Sequence, residues 1–437
     1  MNKKVAGASS SSATKPREQD APATLVPRLR FPEFQDAGEW EVKALEECLD
    51  YQQPTPYLVK DDRYNPTYKT PVLTAGKTFI LGYTNEEYGI FIDGLPVIIF
   101  DDFTTATQFV DFPFKAKSSA MKILEAKNGA NIKFMFEALQ NISFEVGAHE
   151  RHWISTFASM LVPIPSPPEQ QRIADCLSSL DALIAAQARK VDALRSHKKG
   201  LMQQLFPRDG ETQPRLRFPE FQDAGEWEEK NLGNIGLFAS GGTPSKDNPE
   251  YWNGSIPWVS ASSMYEPVIH KADHYVTPKA IGNGTRIAKK GSLLILVRGS
   301  MLFNRVPICV AGIDVTFNQD VKSIEIDISI NTSFLFYQLS AFQSRFIINE
   351  TGIGAGKIEL EQLKKFAVFI PEQIEQQRIA DCLSSLDELI SAATQRLATL
   401  KTHKQGLMQQ LFPNVAGASS SADIHTREQD APATLKD

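Results

Sequence analysis

Two long stretches of the chain carry apolar residues at alternating steps of four and three. In the first stretch the apolar stripe consists of Ile173, Leu177, Leu180, Ile184, Val191, Leu194, Leu201 and Leu205. In the second it consists of Ile379, Leu383, Leu386, Ile390, Ala393, Leu397, Leu400, Leu407 and Leu411. A 3.5-residue repeat held over several heptads predicts a coiled-coil seam. At about 1.5 Å per residue, a helix over residues 169–206 would span roughly 57 Å.

The two stretches are near copies and are therefore predicted to pair with each other inside one chain. The segment QQRIADCLSSLD occupies residues 170–181 and recurs at 376–387. Lys198 and Lys404 lie on the two stripes, so parallel pairing in register would bury two like charges together. Antiparallel pairing instead places Lys198 near Leu386 and Lys404 near Leu180, where each can reach water. An antiparallel intramolecular coiled coil is predicted.

Further repeats give the chain a cyclic, pseudo-two-fold layout. PRLRFPEFQDAGEWE occurs unchanged at 27–41 and 214–228, and the tail at 5–25 is similar to 415–435. Ser166, Pro167 and Glu169 have the pattern of a capped helix start, in which Glu169 closes a capping box. The predicted parts are a disordered tail (1–26), a domain (27–165), a long helix (166–207), a linker with the repeated segment (208–228), a second domain (229–370), a second long helix (371–413) and a disordered tail (414–437).

Short apolar and alternating runs between the helices predict mixed α/β (α+β) domains. A helix is predicted at 332–347, and residues 120–127 and 131–140 form an amphipathic patch. Residues 96–102 can be laid on 293–299 and Lys122 matched to Lys322, which indicates a shared fold. The predicted strands are 77–83, 89–92, 96–103 and 160–165 in the first domain and 255–264, 291–300, 306–313, 321–328 and 366–371 in the second.

Composition and charge narrow the function classes. The 437 residues are 42% hydrophobic, without an apolar run long enough for a membrane span or a signal peptide, so we expect a cytoplasmic protein with no membrane partner. The four cysteines form no CxxC pair and are expected to be buried, reduced thiols. The net charge of −6 does not by itself indicate a nucleic-acid binder.

Several fragments are similar to catalytic motifs, but none is complete. Residues 65–68 and 248–251 are similar to the Asn-Pro-Pro-Tyr signature of amino-methyltransferases but lack the second proline. Residues 352–357 are similar to a phosphate loop, yet Thr351 and Ile358 replace residues that the loop requires. Asp101 and Asp102 lack a third carboxylate, and His149 and His152 lack a third metal ligand. The sequence therefore predicts no catalytic residue, no metal site and no cofactor in this chain.

The arrangement of two diverged domains, each followed by a near-identical long helix, resembles the specificity subunit of type I restriction–modification systems. The second domain carries GGTPSKDNPEYWNGSIPWVS (241–260) and TGIGAGKIELEQLKKFAVFIP (351–371), which resemble motifs of that family. YNPTYKTPVLTAGKTFILGYTNE (64–86) and IIFDDFTTA (98–106) resemble one class of its target recognition domains. The resemblance covers residues 28–413.

This resemblance implies a non-catalytic adaptor that reads double-stranded DNA. In the family, each domain reads one half of a bipartite, asymmetric site and the long helices fix the gap between the halves. Two methyltransferase subunits, which methylate adenine with S-adenosylmethionine, and motor–nuclease subunits, which use ATP and Mg²⁺, are the expected partners. Half-sites one turn apart are about 34 Å from centre to centre, and inserting one helical turn near Gln187 is expected to lengthen the spacer alone.

Candidate contact residues are polar or cationic side chains expected on loops, where base and phosphate contacts are made. In the first domain they are Lys77, Thr78, Tyr83, Thr104, Thr105, Lys115, Lys117, Ser118, Ser119, Arg151 and His152. In the second domain they are Lys246, Ser260, Ser262, Arg298, Ser300, Asn304, Arg305, Asn318, Gln319 and Lys357. On the outer face of the helices, the candidates for partner binding are Arg172, Asp175, Arg378 and Asp381.

Charge limits the affinity expected of the isolated chain. Residues 42–165 hold 11 Lys+Arg against 15 Asp+Glu, and residues 229–370 hold 14 against 12. Because phosphate contacts dominate affinity for DNA, tight binding is expected to require the methyltransferase subunits. The sequence leaves two alternatives open: a two-domain coiled-coil docking adaptor without nucleic acid, and a fused methyltransferase–endonuclease fragment. The missing cofactor motifs disfavour the second.

Overall fold

The computed structural model describes residues 25–74, 78–142, 152–352 and 354–413. These residues form two compact units. The first unit extends to Ala186 and resumes at Leu397, and the second comprises Gln187–Arg396. Each unit therefore contains one domain and a part of each long helix. No described helix has the length and apolar character needed to cross a membrane.

The described residues of the first unit form nine short strands, two short helices and a part of each long helix. The residues predicted as strand 89–92 form only an isolated bridge between Phe91 and Phe114, and the amphipathic patch at 120–127 is a strand. The elements in order are β1 (Glu41–Ala44), α1 (Leu45–Cys48), β2 (Leu49–Gln52), β3 (Thr70–Leu73), β4 (Ile80–Thr84), β5 (Val97–Asp101), β6 (Thr107–Val110), β7 (Lys115–Ala116), β8 (Met121–Ala126), α2 (Ile132–Gln140), β9 (Leu161–Ile164) and α3 (Pro167–Leu205).

The second unit repeats this order with additional strands. Its domain helix ends at Ala341, before the predicted end at 347, and a short 3₁₀ turn follows at Gln343–Arg345. The elements are β10 (Glu228–Asn231), β11 (Gly236–Ser240), β12 (Trp252–Val259), β13 (Val268–Ile269), β14 (His274–Val276), β15 (Ile287–Ala288), β16 (Leu293–Leu296), β17 (Arg298–Gly299), β18 (Ile308–Ala311), β19 (Val315–Phe317), β20 (Val321–Ile326), α4 (Thr332–Ala341), β21 (Asn349–Thr351), β22 (Ala355–Lys357), α5 (Leu360–Lys364), β23 (Ala367–Ile370) and α6 (Gln373–Leu411).

The two domains share one sheet topology. The main sheet has the order β2-β8-β5-β6 in the first unit and β11-β20-β16-β18-β13 in the second. A second sheet contains one parallel pair in each unit, β3 with β7 and β12 with β19. The match of Lys122 to Lys322 is consistent with this topology, because Lys122 pairs with Phe100 and Lys322 with Ile295. The same registers place Ile98 at the position of Leu293, so the sequence alignment of the central strand was shifted by two residues.

The long helices pair antiparallel within each unit. In the second unit the Gln187 side chain donates to the Ala393 carbonyl at 2.8 Å, and Lys198 Nζ lies 2.5 Å from Asp387 Oδ1. In the first unit Lys404 Nζ lies 2.7 Å from Asp181 Oδ1. The lysines therefore lie beside the predicted positions, next to Leu386 and Leu180. They form ion pairs there, whereas the sequence predicted that they would extend to water.

Each repeated RLRFPEF segment joins the start of one long helix to the end of the other. Arg30 forms a bidentate ion pair with Glu169, in which both bonds are 2.7 Å long, and Trp40 donates to the same carboxylate at 3.3 Å. The Leu29 N–H donates to the Gln410 carbonyl at 2.9 Å. Because Glu169 is 1% exposed and engaged in these bonds, its carboxylate holds the repeated segment and does not serve the predicted capping box.

The second unit contains the same arginine and backbone contacts between the repeated segment and the helices, but within the described residues the buried Trp227 Nε1 has no hydrogen-bond partner. Arg217 pairs with Glu375, again with both bonds at 2.7 Å, and the Leu216 N–H donates to the Gln204 carbonyl at 2.9 Å. Trp227 packs edge-on against Phe206 near the end of α3. We call these two sets of contacts the clasps.

The domain helices dock on the long helices through one shared asparagine contact, made to a glutamine pair at each helix start, and through further side chains that differ. Asn131 and Asn331 cap α2 and α4 through hydrogen bonds to Phe134 and Phe334. In the first unit Lys133 and Glu137 of α2 join Asp181 and Lys404 in a cluster with contacts of 2.7–3.0 Å. Tyr337 of α4, which occupies the position of Glu137, donates to Asp387 at 2.8 Å.

Candidate nucleic-acid interface

The parallel strands of the second unit bring three polar segments to one edge. The strands β12 and β19 end side by side at Val259 and Phe317, and the following Asn318 N–H donates to the Val259 carbonyl at 3.0 Å. The Val297 N–H donates to the Asp320 carbonyl at 2.8 Å, and this bond brings the loop after β16 to the same edge. This loop contains Arg298, which lies opposite Lys357 in the β17–β22 pair.

The first unit builds the same edge from β3, β7 and β5. The Lys117 N–H donates to the Leu73 carbonyl at 2.9 Å, and the Asp102 N–H donates to the Ala120 carbonyl at 3.0 Å. These bonds correspond to those of Asn318 and Val297. Lys117 and Ser118 are therefore equivalent to Asn318 and Gln319, and Asp102 is equivalent to Val297. We call this surface the strand-end edge; it comprises residues 74–79 (its described part), 102–105 and 117–120 in the first unit and 260–263, 297–305 and 318–320 in the second.

Most described candidates of the first domain lie on the strand-end edge. Asp101 accepts hydrogen bonds from the backbone of Phe103 and Thr104, so the loop turns sharply, and Thr105 adopts a left-handed φ of 59°. The edge contains the exposed Thr78, Thr104 and Ser119 and the half-buried Thr105, Lys117 and Ser118. Lys77 and Arg151 lie outside the described residues.

Three candidates of the first domain are not on this surface. Lys115 is 2% exposed, and its ammonium binds the Tyr88 and Gly89 carbonyls and Glu86 at 2.6–3.2 Å. His152 is 4% exposed. Both side chains belong to the interior, which corrects their assignment to loops. Tyr83 is half-buried and pairs with Pro71, away from the strand ends.

The second domain contributes a larger edge with several supporting contacts. Ser262 donates to Asp273 at 2.5 Å, and Arg305 donates to the Met264 carbonyl at 2.9 Å beneath the Tyr265 ring. Asn318 is 8% exposed and accepts backbone bonds at 3.1 Å, so its side chain shapes the turn and is corrected from surface contact to interior support. The exposed members are Ser262, Arg298, Ser300, Asn304, Arg305 and Gln319, and Ser260 is half-buried.

Two candidates lie beside the edge and not within it. Lys246 is exposed in the segment that follows Thr243, and the half-buried Lys357 forms an ion pair with Glu359 at 2.8 Å. The sequence had missed Thr243, whose hydroxyl donates to Gln319 at 2.8 Å. A Cβ at Gly241 would lie 2.1 Å from the Phe317 carbonyl, so only glycine lets this segment approach the strand end. The GGTP motif at residues 241–244 was the sequence feature that could have predicted this close approach.

Burial perturbs the pKa values of Lys322 and Cys309 in the second unit. Lys322 donates to the Gln319 carbonyl at 3.0 Å, and its burial lowers its pKa. Burial raises the pKa of the Cys309 thiol to about 12, which keeps it neutral at physiological pH. All four cysteines are free thiols; Cys48 and Cys309 are buried, and Cys176 and Cys382 are half-buried.

The motif-like fragments have structural roles. Asn65 organises a turn by accepting from Thr67, and Asn248 caps a short 3₁₀ helix. The glycine-rich residues around Gly354 connect β21 to β22 as a hairpin. Asp101 ends β5. Within the described residues, no group of three or more His, Cys, Asp or Glu side chains could hold a metal ion.

The predicted partner-binding residues occupy equivalent, exposed positions on the two helices. Arg172 stacks on the Phe31 ring at 4.8 Å and pairs with Glu33 at 3.0 Å. Arg378 makes the same contacts with Phe218 and Glu220, at 4.7 and 3.2 Å. Asp175 and Asp381 each accept a hydrogen bond from a glutamine one turn earlier. These contacts leave the docking prediction open.

Comparison with known proteins shows which family the chain resembles in sequence. Residues 37–195 and 224–402 match the family model described as "Type I restriction modification DNA specificity domain". The chain is 38% identical over 375 residues to the type I restriction enzyme EcoR124I/EcoR124II specificity subunit of Escherichia coli, covering 83% of this chain and 90% of that one. It is 23% identical over 414 residues to the MjaVIII specificity subunit of Methanocaldococcus jannaschii, covering 88% and 93%.

A solved structure has the same fold. The S subunit of a type I restriction–modification system from M. genitalium superposes with a TM-score of 0.60 at 16% sequence identity, covering 90% of this chain and 100% of that one. The family match covers both domains and most of both long helices. The chain belongs to the family of type I restriction–modification DNA specificity proteins.

Proposed function

We propose that this chain is the DNA-specificity subunit of a type I restriction–modification complex, in which each strand-end edge reads one half of a bipartite site. The observation that carries the proposal is the pair of equivalent edges with different side chains. The same backbone bonds place Lys117 and Ser118 in one unit where Asn318 and Gln319 lie in the other. The accessible groups at these positions are the half-buried Lys117 and Ser118 and the exposed Gln319. A shared frame with different hydrogen-bonding groups is what reading two unlike half-sites requires.

The exposed groups on the edges suit both kinds of contact with DNA. Arg298 and Arg305 can bind guanine or phosphate, and Gln319 can bind adenine or other bases through its amide. Thr104, Thr105 and Ser119 offer hydroxyl groups, which contact phosphates as readily as bases. The second unit therefore carries more cationic reading groups than the first.

We assign the chemistry to partner subunits. In this proposal the chain has no catalytic role and no cofactor; two methyltransferase subunits use S-adenosylmethionine to methylate adenine, and motor–nuclease subunits use ATP and Mg²⁺. The E. coli relative is named as the specificity subunit of a type I restriction enzyme, which supports membership in such a complex. The helix faces around Arg172 and Arg378 are the proposed docking positions for the methyltransferase subunits.

The test is a genome-wide map of adenine methylation in cells that express the methyltransferase subunits with or without this chain. We expect a bipartite motif only when the chain is present. Arg298→Ala should relax the second half of the motif and leave the first unchanged, and Thr104→Ala with Thr105→Ala should do the reverse. A motif that does not depend on the chain would reject the proposal.

The helices are proposed to set the spacer between the two half-sites. We expect that inserting one turn next to Gln187, in the middle of α3, lengthens the unspecified spacer and leaves both half-sites intact. A matched insertion in the exposed linker at residues 208–213 is expected to leave the spacer unchanged. Altered half-sites, or a spacer insensitive to the helix insertion, would contradict this role.

The charge balance predicts weak binding by the chain alone. With 11 basic against 15 acidic residues in the first domain, we expect the isolated chain to bind its site weakly and the complex with methyltransferase subunits to bind tightly and with strong salt dependence. An electrophoretic mobility assay of both forms between about 50 and 200 mM salt would check this. Nanomolar specific binding by the isolated chain would contradict it.

A further inference from the structure

In the first unit, one buried carboxylate joins three segments of the strand-end edge and its surroundings. The Asp102 N–H donates to the Ala120 carbonyl at 3.0 Å, and the Asp102 carbonyl accepts from the His152 N–H at 3.0 Å. Its side-chain Oδ1 accepts from the Trp153 N–H at 2.9 Å. The loop after β5, the turn after β7 and the backbone of His152 and Trp153 therefore meet at Asp102.

The second carboxylate oxygen of Asp102 faces a buried lysine. Lys122 Nζ lies 3.4 Å from Asp102 Oδ2, and the two side chains are 0% and 1% exposed. Within the described residues, neither atom has a hydrogen-bond partner of normal geometry, and the Tyr51 ring lies 5.4 Å from the ammonium. Because a buried ion pair is commonly less favourable than apolar packing of the same volume, stability does not explain why this pair is present.

The second unit builds the same junction without the carboxylate. The Val297 N–H donates to the Asp320 carbonyl at 2.8 Å, and the Val297 carbonyl accepts from the Ile358 N–H at 2.9 Å. Both bonds correspond to those of Asp102. Lys322, the equivalent of Lys122, donates to the Gln319 carbonyl at 3.0 Å. The bond from the Trp153 N–H to the side chain of Asp102 is the contact that a valine at this position cannot provide.

We propose that Asp102 is a positioning residue for the reading of the first half-site. Its Oδ1 holds the Trp153 N–H against the loop that carries Thr104 and Thr105, and Lys122, which lies 3.4 Å from Oδ2, orients the carboxylate. Asp102 does not itself contact DNA. The inference rests on the proposed function, because it assigns the loop geometry to sequence recognition.

Two double variants separate the acceptor from the charge. Asp102→Val with Lys122→Met removes both charges and the acceptor for Trp153, and gives the first unit the valine that the second unit has. Asp102→Asn with Lys122→Met removes the same charges but keeps an oxygen acceptor. The single variant Asp102→Val leaves Lys122 buried without a partner and is expected to lower Tm by roughly 10 °C.

The readout is the methylated motif obtained with the full chain and its methyltransferase subunits. Both double variants are expected to recover most of the Tm that the single variant loses. The Val/Met variant should lose about tenfold in discrimination at one or more positions of the first half-site, about the value of one specific base contact. The Asn/Met variant should retain the wild-type first half, and the second half should be unchanged in both.

Three outcomes would overturn the proposal. A Val/Met variant that folds and reads the first half-site as the wild type does would show that Asp102 only supports the fold. Equal changes in both half-sites would indicate general destabilisation. Absence of a bipartite motif with the wild-type chain would reject the proposed function itself, and this result is distinguishable because it precedes any substitution.

Discussion

The two units of this protein are alike in the arginine–glutamate bonds that join the repeated segments to the long helices. They differ in the charged contacts between each domain helix and the long helices. The ion pairs of the clasps are the same in each unit, with Arg30 bound to Glu169 and Arg217 bound to Glu375 through pairs of 2.7 Å bonds. The domain contacts differ, since Glu137 in one unit is replaced by Tyr337 in the other.

This difference shows which contacts constrain the chain. In a clasp, one arginine and one buried carboxylate depend on each other, so changing either alone leaves an unpaired buried charge. At the domain helices the charge balance can be kept in two ways. Lys133 and Glu137 add one positive and one negative charge to the cluster, whereas Ser333 and Tyr337 add none. The domains can therefore diverge while the frame remains constant.

The largest expected effect is the loss of a clasp. Glu169→Ala should destabilise the first unit by about 3–5 kcal/mol because Arg30 loses its buried partner, and Glu375→Ala should have the same effect on the second. Hydrogen–deuterium exchange should increase in residues 28–40 for the first variant and in residues 215–227 for the second. Glu33→Ala, which removes an exposed pair, is the matched control and should cost less than about 1 kcal/mol.

A smaller and unequal effect is expected at the domain helices. Glu137→Gln keeps the shape but leaves Lys133 and Lys404 with only Asp181, which should cost about 3 kcal/mol. Tyr337→Phe removes one hydrogen bond to a carboxylate and should cost about 1.5 kcal/mol. Urea unfolding of the two variants measures the difference.

Giving one domain helix the side chains of the other tests whether the two sets of contacts are equivalent. Lys133→Ser with Glu137→Tyr gives the first unit the side chains of the second, and it should recover most of the stability that Glu137→Gln loses. If the double variant is less stable than Glu137→Gln, the side chains of the two domain helices cannot replace each other, and charge balance does not determine the stability of these contacts.

The sequence predicted the frame better than the site because the frame is periodic. The stripe from Ile173 to Leu205 predicted the helix and its antiparallel partner, and Lys198 lies beside its predicted neighbour Leu386. The ion pair with Asp387 was missed because Asp387 lies off the apolar stripe. The central strand was aligned two residues out of register because apolar runs such as VIIF and LLIL carry no internal marker.

Site residues were harder to predict because exposure depends on strand pairing. Lys117 and Gln319 lie on the strand-end edge because parallel strands end beside each other, which no local pattern shows. Lys115, two residues before Lys117, is a lysine in the same segment, yet β7 directs it to the interior, where carbonyl groups bind it. Composition alone does not distinguish these two lysines.

Lowering the pH should weaken the pairing of the long helices in the first unit, because Asp181 becomes protonated. Burial raises the pKa of Asp181, but hydrogen bonds from Lys133 and Lys404 outweigh it and lower the pKa overall. A carboxyl with a lowered folded-state pKa contributes stability above its unfolded pKa of about 3.9 and loses it as pH falls through the folded value. Wild type and Asp181→Asn should therefore differ in urea midpoint near pH 6 and converge below that folded value. A constant difference across this range would contradict the assignment.

The smallest effect on stability is expected on the outer helix face, where the two units are again alike. Arg172 and Arg378 are each 52% exposed and pair with an exposed glutamate, so replacing either with alanine should change the free energy of unfolding by less than about 1 kcal/mol. If this face binds the methyltransferase subunits, each substitution should lower the number of subunits that co-purify, from two toward one. The double variant should lose both. Glu46→Ala, at an exposed site in the first domain, is the control. Because these side chains contribute little to folding, a change in assembly would report partner binding. If the double variant assembles as the wild type does, these residues are not part of the docking surface.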